Sequence, residues 1–353
     1  MTPRAAPLLA AAILLAGCSS LGPPTIARDR FDYVSSISES WKRQMLLNVV
    51  KVRYSDTPVF LDVTSVINAY GIEGTISLGG QATPAGREGD TFASLGGSAV
   101  YQDHPTITYA PLSGDKFSRS VMTPIPVTGI LALVESGYPV DVVLRFCINS
   151  INGLENTRGG LSAGRAGDEE FRELLELLRA EQTANGPPVY SAEKRREFYL
   201  YLRRPADEAS RARQRRIVEL LGLQPGRAEY PIRYGVRKGE PGEVVIQSRS
   251  MLQVLADFAS YVDVPPEDVA EGRAYPTHRT PEDLARFPPL VAVRNAASAP
   301  ENAYVSVKYR GRWFWISDRD YRSKGALSFL MLMFSLTESD ASASAPVLTV
   351  PAR

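Results

Sequence analysis

The chain has 353 residues, with 40 Lys and Arg against 39 Asp and Glu, a formal net charge of +1 and a hydrophobic share of 44%. That balance leaves no surplus of positive charge for a nucleic-acid backbone or a polybasic membrane patch, and the length suffices for two domains with buried cores. With 2 cysteines and 2 histidines far apart in the chain, neither a disulfide framework nor a zinc site has support, and no metal or cofactor is expected.

Arg4 supplies one positive charge near the start, and Ala5 to Leu15 follows without a charged side chain. This apolar run falls well short of the roughly 20 residues with which a helix crosses a hydrocarbon core, so a cleaved signal peptide over 1–17 is expected rather than a permanent span. It closes on Leu15-Ala16-Gly17-Cys18, which resembles the lipobox of bacterial lipoproteins. The resemblance implies diacylation of the Cys18 thiol, cleavage before it, and a third acyl chain, commonly palmitate, on the new amine. Two or more chains anchor a protein stably where one binds only marginally. Ser19 lacks the acidic character associated with inner-membrane retention, so the implied location is the outer membrane, facing the periplasm. Residues 18–30 read as the lipidated tether, Ser19 to Pro24 having a linker's composition. The rest of the chain resembles envelope lipoproteins in general character alone, and no functional residue carries over.

The body predicts an α+β fold of antiparallel sheets and packed helices in two subdomains, 31–160 with a Gly-rich strand region and 161–353 with an aromatic hairpin and a buried helix. Val34 to Arg53 sets Ile37, Trp41, Met45, Val49 and Val52 on one face at helical spacing. Val59 to Ile67 reads as a strand with Val59, Leu61, Val63 and Ile67 on a buried side. From Gly71 to Leu112 glycine and small residues alternate with apolar ones: Ile72, Ile76 and Leu78 share a face, as do Ala93, Leu95, Ala99 and Tyr101. Two or three strands and a polar loop from Gln81 to Asp90 are expected. Such strands fit a membrane-spanning hairpin and a soluble sheet alike, and the soluble sheet is the plainer expectation.

A short helix is predicted within Pro124 to Gly137, and a strand over Val140 to Ile151 that buries the Cys147 thiol as a structural group. The loop 156–167 marks the subdomain boundary, and Asp168 opens a helix burying Phe171, Leu174, Leu175 and Leu178. Lys194 to Arg216 is basic but interleaved with acids, so it reads as a solvated face, with a helix framed by Pro205 and Gly222 and an Asp207–Arg211 pair. Strands follow at Tyr230 to Tyr234 and Val244 to Gln247, then a helix from Ser250 turning Leu252, Leu255, Phe258, Ala259 and Val262 to the core. Tyr304 to Ile316 predicts a hairpin turning at Arg310-Gly311, Ala326 to Leu336 a buried helix packed on it, and 345–350 a last edge strand.

Catalytic patterns are sparse. Gly96-Gly97-Ser98 sits in a strand pattern rather than on a nucleophile elbow, His104 and His278 follow no such elbow, and no phosphate-cradling loop occurs. Trp313 and Trp315, followed by Asp318 and Asp320, form a possible ligand surface: indoles stack on sugar rings, and paired carboxylates serve glycan hydrolysis. The plainer reading of these acids, and of Glu267-Asp268, is the acidic first turn of a helix. No catalytic residue is assigned. The expected function is a non-catalytic scaffold or accessory of an envelope complex. The alternatives are a subunit of an oligomeric outer-membrane export pore built from the 71–112 hairpins, and a cell-wall glycan binder or hydrolase. The expected partners are the membrane, through the acyl chains, and an envelope protein or further copies of the chain, with no nucleic acid.

Overall fold

A computed structural model describes residues 23–338 apart from 68–69, 82–91, 104–105, 160–165, 193–196, 238, 276–280 and 287. The segment 1–17 expected as a signal peptide, Cys18, the stretch 82–91 expected as a polar loop, His104, His278 and the tail 345–350 therefore lie outside the described residues. The chain forms two compact units, Val59–Leu112 and the remainder.

The larger unit is α+β. Its first helix, α1, runs Pro23–Arg53, beginning inside the segment assigned to the tether, and buries Met45, Leu46, Val49, Val50 and Val52. After the hairpin unit, α2 (Val127–Glu135) and α3 (Val140–Cys147) lead into β5 (Ile148–Ile151), the first to fourth strands belonging to the smaller unit. The strand expected over Val140 to Ile151 is thus mostly helix. Val140, Val143, Leu144 and Cys147 recur at helical spacing and are all buried, Pro139 occupies the N-cap, and the Gln182 side chain accepts from the Val140 N–H at 3.0 Å. Tertiary burial of that stripe overrides the β preference of three valines.

A short β6 (Leu154–Glu155) precedes α4 (Glu169–Asn185), which buries the four apolar residues expected of it. Next come β7 (Val189–Ala192), β8 (Glu197–Tyr201), α5 (Glu208–Leu220), β9 (Glu229–Tyr234), β10 (Val244–Ser248) and α6 (Met251–Ala259). One sheet runs β6-β5-β10-β9-β8-β7, antiparallel except for β9 beside β10. It joins strands from both sides of residue 160, so the loop 156–167 lies within one compact unit. Leu131, Val134, Leu144 and Leu174 from the helices meet Leu200, Val244 and Ile246 from the sheet around an apolar void of about 30 Å³. Such a void, room for about one water but with no polar lining, stays dry.

Two helix expectations resolve differently from the sequence, one polar and one apolar. Asp207 caps α5, accepting from the Ser210 N–H at 2.7 Å, while Arg211 pairs with Glu208 at 2.6 Å. A carboxylate one residue before a helix satisfies an orphan amide, and that geometry removes it from the i,i+4 pair. The helix from Ser250 carries a full capping box with Gln253; Leu255, Phe258, Ala259 and Val262 are buried and Leu252 only partly so.

The short helices α7 (Pro266–Ala270) and α8 (Pro281–Arg286) lead to a second sheet, β11 (Arg294–Ala296), β12 (Ala303–Tyr309) and β13 (Arg312–Ser317), with β13 central. Arg310 at φ 47° and Gly311 at φ 84° make the expected tight turn between β12 and β13, the left-handed pair that a two-residue hairpin loop requires. Val305, Val307, Phe314 and Ile316 face inward, covered by α1 and by α9 (Tyr321–Glu338), which buries Leu327, Leu330, Met333 and Phe334.

Candidate functional site

The smaller unit holds two antiparallel strand pairs. β1 (Leu61–Ile67) pairs with β4 (Thr106–Pro111), and β2 (Tyr70–Gln81) pairs with β3 (Phe92–Asp103). Within the second pair the register runs unbroken from Tyr70↔Asp103 to Gln81↔Phe92. β2 and β3 are each 12 residues long, about 40 Å of strand.

Directly opposed residues share a face, so the register sorts the ribbon. One face carries the positions Ile72↔Tyr101, Gly74↔Ala99, Ile76↔Gly97, Leu78↔Leu95 and Gly80↔Ala93. The other carries Glu73↔Val100, Thr75↔Ser98, Ser77↔Gly96 and Gly79↔Ser94. The first set of positions is therefore apolar or small, and the second is mostly small and polar but includes Val100 and, at its ends, Gly71↔Gln102 and Gln81↔Phe92. On the polar side serine sits opposite glycine, and Ser77 Oγ and Ser94 Oγ donate across the ladder to the Gly96 and Gly79 carbonyls, each at 3.3 Å.

In the first pair a β-bulge lies at Thr64, between Val63↔Tyr109 and Ser65↔Thr108. It absorbs the one residue by which Leu61 and Val63 would be out of phase, so within this pair both share a face with Val66, Ile107 and Tyr109, opposite to Ile67. The single buried side expected for Val59, Leu61, Val63 and Ile67 is not observed: Leu61 is 44% and Ile67 41% exposed, and Tyr109 opposite Val63 is 54% exposed. Among the described residues neither pair joins a strand outside itself.

The possible ligand surface lies in the larger unit. Trp313 and Trp315 occupy the half-buried face of β13, opposite to buried Phe314 and Ile316, and the Arg294 guanidinium sits 5.6 Å from the Trp315 ring centroid. Asp320 precedes α9 and accepts from the Ser323 N–H at 3.0 Å and hydroxyl at 2.6 Å. Burial would raise its pKa, but the Ser323 hydrogen bonds prevail and hold the carboxyl below its usual range. Asp318 pairs with Lys324 at 2.7 Å. Both acids thus serve the first turns of a helix. Asp268 accepts from the Tyr54 hydroxyl at 2.6 Å and pairs with Arg273 at 2.9 Å. Cys147 ends α3 with its sulfur 3.3 Å from that of Met333, and burial pushes its thiol pKa up to about 12.

Sequence reasoning missed two features of this unit. Arg249 and Asp257 form an ion pair at 3.3 Å with side chains 2% and 4% exposed; Arg249 also donates to Thr157 O and Asn149 Oδ1, and the Gly159 N–H donates to Asp257 at 2.7 Å. Nothing in Arg249's polar neighbourhood, Gln247-Ser-Arg-Ser250, signals such burial. A groove of about 1180 Å³ opens among α3, α4 and α9, with Phe146, Leu175 and Phe329 in its lining and Arg145 and Arg322 beside them. The acids in its wall are engaged, Asp141 with Arg179 and Glu176 with Arg172. Among the described residues no group of His, Cys, Asp and Glu is placed to hold a metal ion, and no helix is long and apolar enough to cross a membrane. Set against known proteins, the chain matches no family model, no curated protein and no solved structure.

Proposed function

We propose that this chain is a lipid-anchored, non-catalytic subunit of the bacterial envelope, held at the periplasmic face of the outer membrane by acyl chains on Cys18, and that it acts by assembling with further copies of itself through its hairpin. The β2–β3 ribbon is the observation that carries the reading. A lone two-stranded ribbon is marginally stable in water, and its outer edges are templates for further strands. Joining β2 of one copy to β3 of the next satisfies those edges with the same antiparallel chemistry that pairs the two within a copy.

The test is the native mass of full-length lipidated protein extracted in mild detergent, beside a variant with 60–111 replaced by a short Gly-Ser linker. A defined multimer that the replacement reduces to a monomer is expected. A monomeric parent protein would overturn the reading.

A further inference from the structure

We infer that the β2–β3 section is the membrane-crossing part of the assembly, with the Ile72 face toward lipid and the Thr75 face lining a water-filled lumen. The inference rests on the self-assembly reading and adds what the assembled hairpins do. Three observations on the ribbon carry it.

The first is length. A strand crosses the hydrocarbon region with about 9–11 residues when tilted, and β2 and β3 have 12 each. The second is the register. The apolar positions run from Ile72↔Tyr101 to Gly80↔Ala93 with no polar pair among them, while the opposite face offers Thr75, Ser77, Ser94 and Ser98, with Glu73↔Val100 toward one end. This is the apolar-out, polar-in alternation of a membrane barrel strand rather than of a sheet with one face on a protein core, where the outer face is commonly rich in charge. The third is where the band stops. The register positions Tyr70↔Asp103 follow Ile72↔Tyr101 at one end of the pair, so two tyrosines and an aspartate succeed the apolar run there, as aromatic girdles flank the apolar band of such barrels.

Lipid supplies no hydrogen bonds, so strands can cross it only as a closed ring without edges. With two strands from each copy, a lumen wide enough for an aqueous channel, 16–18 strands, takes roughly eight or nine copies. Between Val59 and Leu112 the only Lys or Arg is Arg87, in the segment between β2 and β3, so the strands themselves bring no Lys or Arg into the bilayer or the lumen.

The experiment labels single cysteines with an environment-sensitive fluorophore in the full-length lipidated protein, reconstituted into phosphatidylethanolamine–phosphatidylglycerol vesicles. Ile76→Cys and Leu78→Cys are compared with Thr75→Cys and Ser77→Cys, using nitroxide-bearing phospholipid and aqueous iodide as quenchers. Residues 76 and 78 should quench severalfold more with the lipid nitroxide, and 75 and 77 more with iodide. The unlabelled parent protein should give stepwise conductance in a planar bilayer, which keeps the test decisive if a labelled variant fails to assemble. Multimers in which all four positions are equally open to iodide, with no conductance, would overturn the inference and leave self-assembly standing. A parent protein monomeric in the vesicles would overturn both.

Discussion

Arg249 carries a charge at 2% exposure, and its stability rests on Asp257, Asn149 and the Thr157 carbonyl. Removing one member of a buried pair leaves the other charge uncompensated, at about 3–5 kcal/mol, whereas replacing both with apolar residues can be near neutral. Asp257→Ala should therefore lower the thermal midpoint by many degrees, and the double change Arg249→Met with Asp257→Leu should recover much of it; an unaltered midpoint in the single variant would refute this. Gly159 belongs to the same network, because an added Cβ would lie 2.7 Å from the Asp257 Cα and 2.6 Å from its carboxylate, so Gly159→Ala should destabilise as well. Asp320 has its pKa lowered in the folded state, so its stabilisation is fully present above the unfolded carboxyl value of about 3.9 and is lost as pH falls through the folded one. Asp320→Ala should cost about 1 kcal/mol at neutral pH, as loss of a helix cap does, and less as the pH drops below about 4; equal loss at both pH values in denaturant titrations would contradict the linkage. The acidic turn before α9 was legible in the sequence, because an acid before an apolar run has a local cause, whereas Asp207 was read as half of an ion pair rather than as the cap it is. Arg249 and Asp257 were not legible, since their partners come from chain positions about a hundred residues away and no local pattern announces them.

Among elements, the amphipathic helices were readable because one apolar stripe at helical spacing fixes both their existence and their buried side, as with Phe171, Leu174, Leu175 and Leu178. The aromatic hairpin was readable from its Arg310-Gly311 turn. Misreadings occurred where composition and period disagreed. Valine content suggested a strand at Val140 to Cys147, and the many arginines around β8 hid the alternation of Phe198 and Leu200 with the tyrosines between them. For β1 the alternation was seen but the bulge was not, since an extra residue in one arm shows only once its partner is known. That bulge yields a contrasting pair of deletions. Removing Thr64 takes out a residue the ladder already leaves unmatched, so multimer formation should survive. Removing Gly74 from inside β2 slips the register by one and moves the apolar positions on one side of the deletion to the polar face, so the multimer should disappear from native mass measurements. Survival of both deletions would mean that register does not govern assembly.

At the scale of the molecule, the chain keeps its helices and two sheets in one unit and sets the two strand pairs, 59–112, apart as another. The α+β class was legible from composition and periodicity, whereas the position of the division was not, because a boundary is a property of which strands pair, and β5 and β6 pair with strands beyond the loop 156–167. Both faces of the ribbon were visible as alternation, but their matching across two arms needed the register. Replacing 60–111 by a short linker should leave the larger unit's thermal midpoint within a few degrees of the parent value; a collapse of that midpoint would show the two units to be one cooperative block. Joining one copy's β2 to the next copy's β3 is a head-to-tail contact, and such a contact carries no instruction to stop. If the twist of each ribbon closes the circle, the product is a ring of fixed number; if it does not, the same edges continue into an endless filament. The number of copies is then set by curvature rather than by any contact, and a change that flattens the ribbon, such as filling its Gly/Ser face with larger side chains, would turn a discrete particle into fibres.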